Sequence, residues 1–84
     1  MCKVKVKYRG HLANLTRVSE ESYESNSIKG ILKLILEHHG REAEKIARSM
    51  LIAVNGESIH LLKQFKTSLK DGDVIDFFPL CAGG

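Results

Sequence analysis

A chain of 84 residues makes one domain with one compact core and hardly accommodates a deep, enclosed active site. The composition is that of an ordinary soluble globular protein. The net charge of +3 comes without an arginine cluster, aromatic interleaving or a glycine-rich RNA-binding signature, so no nucleic-acid partner is expected. No apolar run approaches the roughly 20 residues of a membrane span, so no membrane partner is expected either. The first residues begin directly with strand-like alternation, from which no signal peptide is expected. Cys2 and Cys81 stand at opposite ends and form no paired motif, which fits a reduced, cytoplasmic protein.

Cys2, Val4, Val6 and Tyr8 alternate with Lys3, Lys5 and Lys7, which predicts a half-buried strand with one solvated face. Arg9-Gly10-His11 breaks the pattern. Leu12 and Leu15 are expected as apolar contacts in a long connection. A weaker, polar strand is predicted near Arg17 to Glu24, anchored by Val18 and Tyr23, with its acidic residues forming a solvated edge.

Ser27 is placed to cap a helix. Ile28, Ile31, Leu32 and Ile35 follow at helical spacing and make one apolar stripe, widened by Leu34 and Leu36. Gly40 is expected to end that helix in the left-handed conformation. His38 and His39 fall in its last turn, where positive charge suits the helix dipole. Neighbouring helical residues point about 100° apart, and no third ligand is evident, so no metal site is expected.

A short second helix is predicted from Arg41 to Arg48, with Ala43, Ile46 and Ala47 turned inward. Met50 to Val54 is a compact apolar run, expected as a buried strand. Asn55-Gly56 is a two-residue hairpin signal, and the return strand is expected near Ser58 to His60. Leu62, Phe65 and Leu69 are expected to plug the sheet edge. Lys70 to Asp73 is a tight turn and Val74 to Phe78 the last strand. The order implies an α+β domain: a mixed sheet of four or five strands with one main helix packed on one face.

The last strand leads into Pro79, Leu80, Cys81, Ala82, Gly83 and Gly84. Asp76 should face water, which turns Ile75 and Phe77 to the core and leaves Val74 and Phe78 on the solvent side. Phe78 is then an exposed aromatic beside the tail, a docking surface; alternatively it folds under the loop around Phe65. Two glycines without Cβ atoms are thin and flexible. They can thread a narrow channel and present the Gly84 carboxylate in a partner's active site. The plainer alternative is a frayed terminus. We divide the chain into a folded domain at 1–79 and a flexible tail at 80–84.

Catalytic constellations are scarce. There is no supported Ser/His/Asp spacing and no phosphate loop, and His11 and His60 are isolated. Cys81 is the one candidate nucleophile, with no nearby base to activate it; as a plainer role it is a small apolar contact.

The Asn55-Gly56-Glu57 hairpin, the Lys70-Asp71-Gly72-Asp73 turn, the apolar strand, Pro79 and the terminal Gly83-Gly84 together resemble the MoaD/ThiS sulfur carriers. The resemblance covers nearly the whole chain. It implies a ubiquitin-like β-grasp fold, and the chain length and hairpin position are most similar to the small subunit of molybdopterin synthase. It further implies a carrier rather than an enzyme. No cofactor is expected to be bound. A MoeB-like adenylating enzyme uses ATP to adenylate Gly84, and a persulfide donor then supplies the sulfur of a C-terminal thiocarboxylate. A MoaE-like large synthase subunit receives the tail, with Phe78, Pro79, Leu80, Cys81, Ala82 and Gly83 as the partner-binding residues. The family tail often carries a second proline and a valine where this chain has Leu80 and Cys81. Leu80 still supplies bulk, and Cys81 could trap the thiocarboxylate or contact a partner's cysteine. A ubiquitin-like modifier joined to proteins through Gly84, a carrier for another pathway such as thiamine biosynthesis, and a plain interaction module remain as alternatives.

Overall fold

The alternating lysines and valines form β1 (Lys3–Lys7), with Val4 and Val6 buried and the lysines on the other face. The computed structural model describes residues 2–79. After β1 come α1 (Gly10–Thr16), β2 (Glu20–Glu24), α2 (Ile28–His39), α3 (Arg41–Ser49), β3 (Leu51–Val54), β4 (Glu57–Ser58) and β5 (Val74–Phe78). Two 3₁₀ turns, Ile59–Leu61 and Gln64–Lys66, occupy the stretch before β5.

The five strands lie in the order β2-β1-β5-β3-β4. β1 and β5 pair in parallel at the centre; the other neighbours are antiparallel. β5 therefore enters between two strands that precede it in the chain. Its inner residues, Ile75 and Phe77, are fully buried against Val4, Val6, Ile52 and the Ile28/Ile31/Leu32/Ile35 stripe of α2. Burying each such side chain contributes roughly 1.5–3 kcal/mol, so this one layer anchors the last strand firmly. The Ser27 side chain accepts a hydrogen bond from the Gly30 amide and caps α2 as expected.

Several elements differ from the sequence reading. The stretch after β1 is a helix, α1, rather than a connection; it buries Leu12 and Thr16 and packs against α3. Val18 is exposed instead of anchoring β2, while Tyr23 is buried as expected. Gly40 has φ 96° and ψ 174°, not the left-handed helical conformation. The chain turns there straight into α3, and glycine reaches that extended positive-φ region without a Cβ clash. In α3, Ala43 and Ala47 are buried and Ile46 is half-buried. The apolar stripe of α2 is narrower than expected, since Leu36 is 40% exposed. The return strand β4 stops at Ser58, because Ile59 turns into the core and bends the chain into a 3₁₀ turn. Of the three edge residues, Leu69 is buried, Phe65 is half-buried and Leu62 is exposed.

Candidate functional site

Two turns set the position of β5 at its start. Asn55 and Gly56 have φ of 52° and 85°, the positive pair that a tight hairpin requires. The Asn55 side-chain amide donates to Asp73 Oδ1 at 2.9 Å, and its carbonyl oxygen accepts from the Val74 amide at 2.9 Å. Asp73 Oδ2 accepts from the Lys70 amide at 2.8 Å, and Asp71 accepts from the Lys3 amide at 2.7 Å. The hairpin and the Lys70–Asp73 turn are thus one hydrogen-bonded unit at the head of β5. Register matters here, because a slip of one residue exchanges the two faces of a strand.

At the far end of β5 the side chains divide as the sequence predicts. Ile75 and Phe77 face the core, whereas Val74, Asp76 and Phe78 are half-buried on the opposite face. Leu51 pairs with Phe78 and Ala53 with Asp76, so they share that face. Phe78 is less exposed than expected, because the Arg9 guanidinium lies 4.9 Å from its ring centre. Arg9 also donates to Asp76 Oδ1 at 3.0 Å. Phe65, the alternative neighbour of Phe78, packs instead against the core on the helix side, with Arg48 5.8 Å from its ring. Pro79 is exposed. Leu80, Cys81, Ala82, Gly83 and Gly84 lie outside the described residues.

A second polar cluster was not visible as such in the sequence. Glu21 shares the inner face of β2 with Tyr23, since the two are two residues apart. One oxygen of its carboxylate, Oε2, accepts from the Tyr8 hydroxyl at 2.5 Å and the Tyr23 hydroxyl at 2.9 Å, and lies 2.5 Å from His39 Nε2. His38 lies against Tyr23, with ring centres 5.5 Å apart. The expected solvated acidic edge is therefore wrong at Glu21. Burial raises the carboxyl, but hydrogen bonds from Tyr8, His39 and Tyr23 outweigh it and hold the group below its usual value. Burial, with the carboxylate alongside, pushes Tyr23 up to about 12 and Tyr8 higher still. With three donors already on one oxygen, this cluster joins the residue after β1 to β2 and α2 and is built to hold structure. Among the described residues, no group of His, Cys, Asp and Glu is arranged to hold a metal ion, and no helix is long and apolar enough to cross a membrane.

The sequence matches the family model described as the ThiS family over residues 6–84. Among solved structures, it is similar to small archaeal modifier protein 1 from Methanosarcina acetivorans. That match has a TM-score of 0.87 and 24% identity, covering 100% of this chain and 98% of that one. A Pyrococcus furiosus protein named for molybdopterin converting factor, subunit 1, matches with a TM-score of 0.76 and 31% identity, covering 94% of this chain and 98% of that one. A chain of the Amycolatopsis orientalis BexX/CysO complex matches with a TM-score of 0.83 and 19% identity, covering 96% and 99%, a likeness of fold. No curated protein matches the sequence. With its ubiquitin-like β-grasp sheet and a match that runs from β1 to Gly84, the chain belongs to the ThiS family of small sulfur carriers.

Proposed function

We propose that this chain is a sulfur carrier whose Gly84 carboxylate is adenylated and then converted to a thiocarboxylate, acting as the small subunit of a molybdopterin synthase. The observation that carries the reading is the placement of β5. A central strand, locked in register at its head, ends at Phe78 and Pro79 and leads directly into the sequence that closes on Gly83-Gly84. The family match extends through those last residues, and the 31% identity to the Pyrococcus furiosus protein supports the molybdopterin branch.

The chemistry follows from the carboxylate. Ionised at neutral pH, it is a poor electrophile. A carboxylate oxygen attacks the α-phosphorus of ATP, pyrophosphate leaves, and the mixed anhydride carries AMP as a good leaving group. The outer sulfur of a donor's persulfide then attacks the carbonyl carbon and AMP leaves, giving an acyl disulfide. A second thiol, from a partner or a small-molecule reductant, attacks the donor's sulfur, so that the thiocarboxylate leaves and the two thiol sulfurs form a disulfide. Catalysis belongs to the partners, a MoeB-like adenylating enzyme and a MoaE-like large subunit. This chain supplies the reacting group and a docking face built around Phe78, Leu51 and Val74.

The test is the intact mass of the protein after incubation with ATP, a sulfur donor and a MoeB-like enzyme. Replacement of one oxygen by sulfur at Gly84 is the expected result. An unchanged mass, with the enzyme active on another carrier, would sink the reading. A second reading, motivated by the likeness of fold to the archaeal modifier, joins Gly84 to lysines of other proteins. Gly84 found in isopeptide linkage, without a stable complex with a large synthase subunit, would favour it.

A further inference from the structure

The end of β5 and Pro79 rest on the turn that follows β1. The parallel register pairs Lys5 with Val74 and Lys7 with Asp76, and its continuation sets Arg9 beside Phe78. Arg9 follows Lys7 by two residues, so its side chain lies on the open face of the sheet with Asp76 and Phe78. There it makes two contacts at once, a hydrogen-bonded ion pair to Asp76 and a cation over the Phe78 ring. Gly10 completes the surface. Its φ is 62°, and a Cβ built on it would lie 3.4 Å from Pro79 Cγ and 3.6 Å from Pro79 Cβ. Backbone at Gly10 thus passes under the proline ring, and the guanidinium flanks the ring before it.

We propose that Arg9 and Gly10 form a seat that fixes the direction in which the chain leaves the sheet at Phe78–Pro79, and that Arg9 is a positioning residue for the chemistry of the tail. The second half rests on the carrier reading above. Arg9 touches no reacting atom. It acts through Phe78, by limiting the orientations from which a tail can enter a partner's channel. A planar guanidinium suits the task better than an ammonium, because it can stack on a ring while its edge bonds a carboxylate. The Asp76 side chain is 15% exposed and that of Arg9 48%, so the pair is half in water. Its loss should leave the fold nearly intact, which separates positioning from stability.

The experiment compares the full chain with its Arg9→Ala and Arg9→Lys variants. Backbone order at Phe78 and Pro79 is measured by NMR relaxation, and adenylation is measured with ATP and a MoeB-like enzyme proven on another carrier. For Arg9→Ala, the melting temperature should fall by no more than about 8 °C. The order parameter at Phe78 should drop from the rigid range near about 0.85 toward about 0.6. The adenylation kcat should fall by about tenfold with little change in KM, as expected when a reacting group is misdirected but still docks. Arg9→Lys, which keeps the charge without the stacking plane, should lie between. Unchanged order at Phe78 overturns the seat. Looser order with unchanged kcat overturns the positioning role, as does a rise in KM alone, which would make Arg9 a docking contact. A parent chain that is not adenylated at all removes the carrier reading and the positioning role with it, while the relaxation data still decide whether the seat exists.

Discussion

Asn55 and Asp73, 18 residues apart in sequence, are joined by a side-chain hydrogen bond of 2.9 Å that makes the two turn motifs of this chain one structure. Replacing Asn55 with alanine removes that bond and the one accepted from Val74, and places a less tolerant residue at φ 52°. Both bonds are exposed, so we expect a loss of about 1–2 kcal/mol, equivalent to a fall of roughly 4–16 °C in Tm for a domain of this size. Thermal unfolding of Asn55→Ala checks it; an unchanged Tm would show that the turns hold without the bridge.

Gly30 lies inside α2, where alanine is normally favoured by about 1 kcal/mol. Here a Cβ would stand 2.1 Å from Ser25 Oγ. That hydroxyl is buried, donates to the Ser27 carbonyl and accepts from the Ser27 amide. Forcing it aside costs those bonds, which outweighs the propensity gain. Gly30→Ala should therefore destabilise the protein by about 1 kcal/mol. In a Ser25→Ala background the same change should become stabilising. A double-mutant cycle in denaturant checks the reversal of sign, and purely additive effects would contradict it.

Glu21 gives the fold a dependence on pH. Its carboxyl is lower in the folded chain than in the unfolded one. Its contribution is therefore complete above about pH 4.3, the ordinary glutamate value, and is lost as the pH falls through the folded value. Tyr23 has the opposite sign. Raised to about 12, its phenol contributes fully below about pH 10 and loses that contribution as the pH rises toward 12. At pH 7, Glu21→Gln should cost about 1–3 kcal/mol. The gap between parent and variant should narrow below about pH 4. Denaturant unfolding at pH 7 and pH 3 measures both gaps, and equal values would remove the carboxylate as the cause.

The folded core and the proposed chemistry should be separable at the end of the chain. Among the described residues, the buried apolar side chains run from Val4 to Phe77. Removing Gly83 or Gly84 should leave Tm within about 2 °C of the parent, while adenylation falls below detection. Melting far below the parent would give the glycines a structural part, and undiminished adenylation would refute the role of Gly84.

Much of this architecture was legible because its signals are periodic. The alternation of β1, the Ile28-to-Ile35 stripe and the Asn55-Gly56 pair each announce themselves within a few residues. Helix α1 does not. It spans seven residues, begins after Arg9 without a side-chain cap, and ends at Arg17, whose φ of 65° is a place usually marked by glycine. Its buried pair, Leu12 and Thr16, includes a polar residue and gives only one helical interval. Glu21 was masked by its acidic neighbours. The clue was its period-two relation to Tyr23, which outweighs local charge once Tyr8 and His39 arrive from other elements. Arg9 could not be read at all, since its relation to Phe78 depends on a parallel pairing between the first and last strands. The face assigned to Phe78 was legible; the cation beside it was not.

That pairing also governs how the chain matures. β5 closes the sheet by inserting between β1 and β3. Before residues 74–78 emerge during synthesis, those two strands are open edges, competent to pair with another chain. Of the contacts that close this gap, those between β1 and β5 are among the longest in sequence, and such contacts tend to form late. A nascent chain halted before Val74 should be a substrate for holding chaperones. Insertion of β5 joins the central strands and brings Phe78 against Arg9 in the same event, so that the contacts around Phe78 and Pro79 arise only when the sheet is closed.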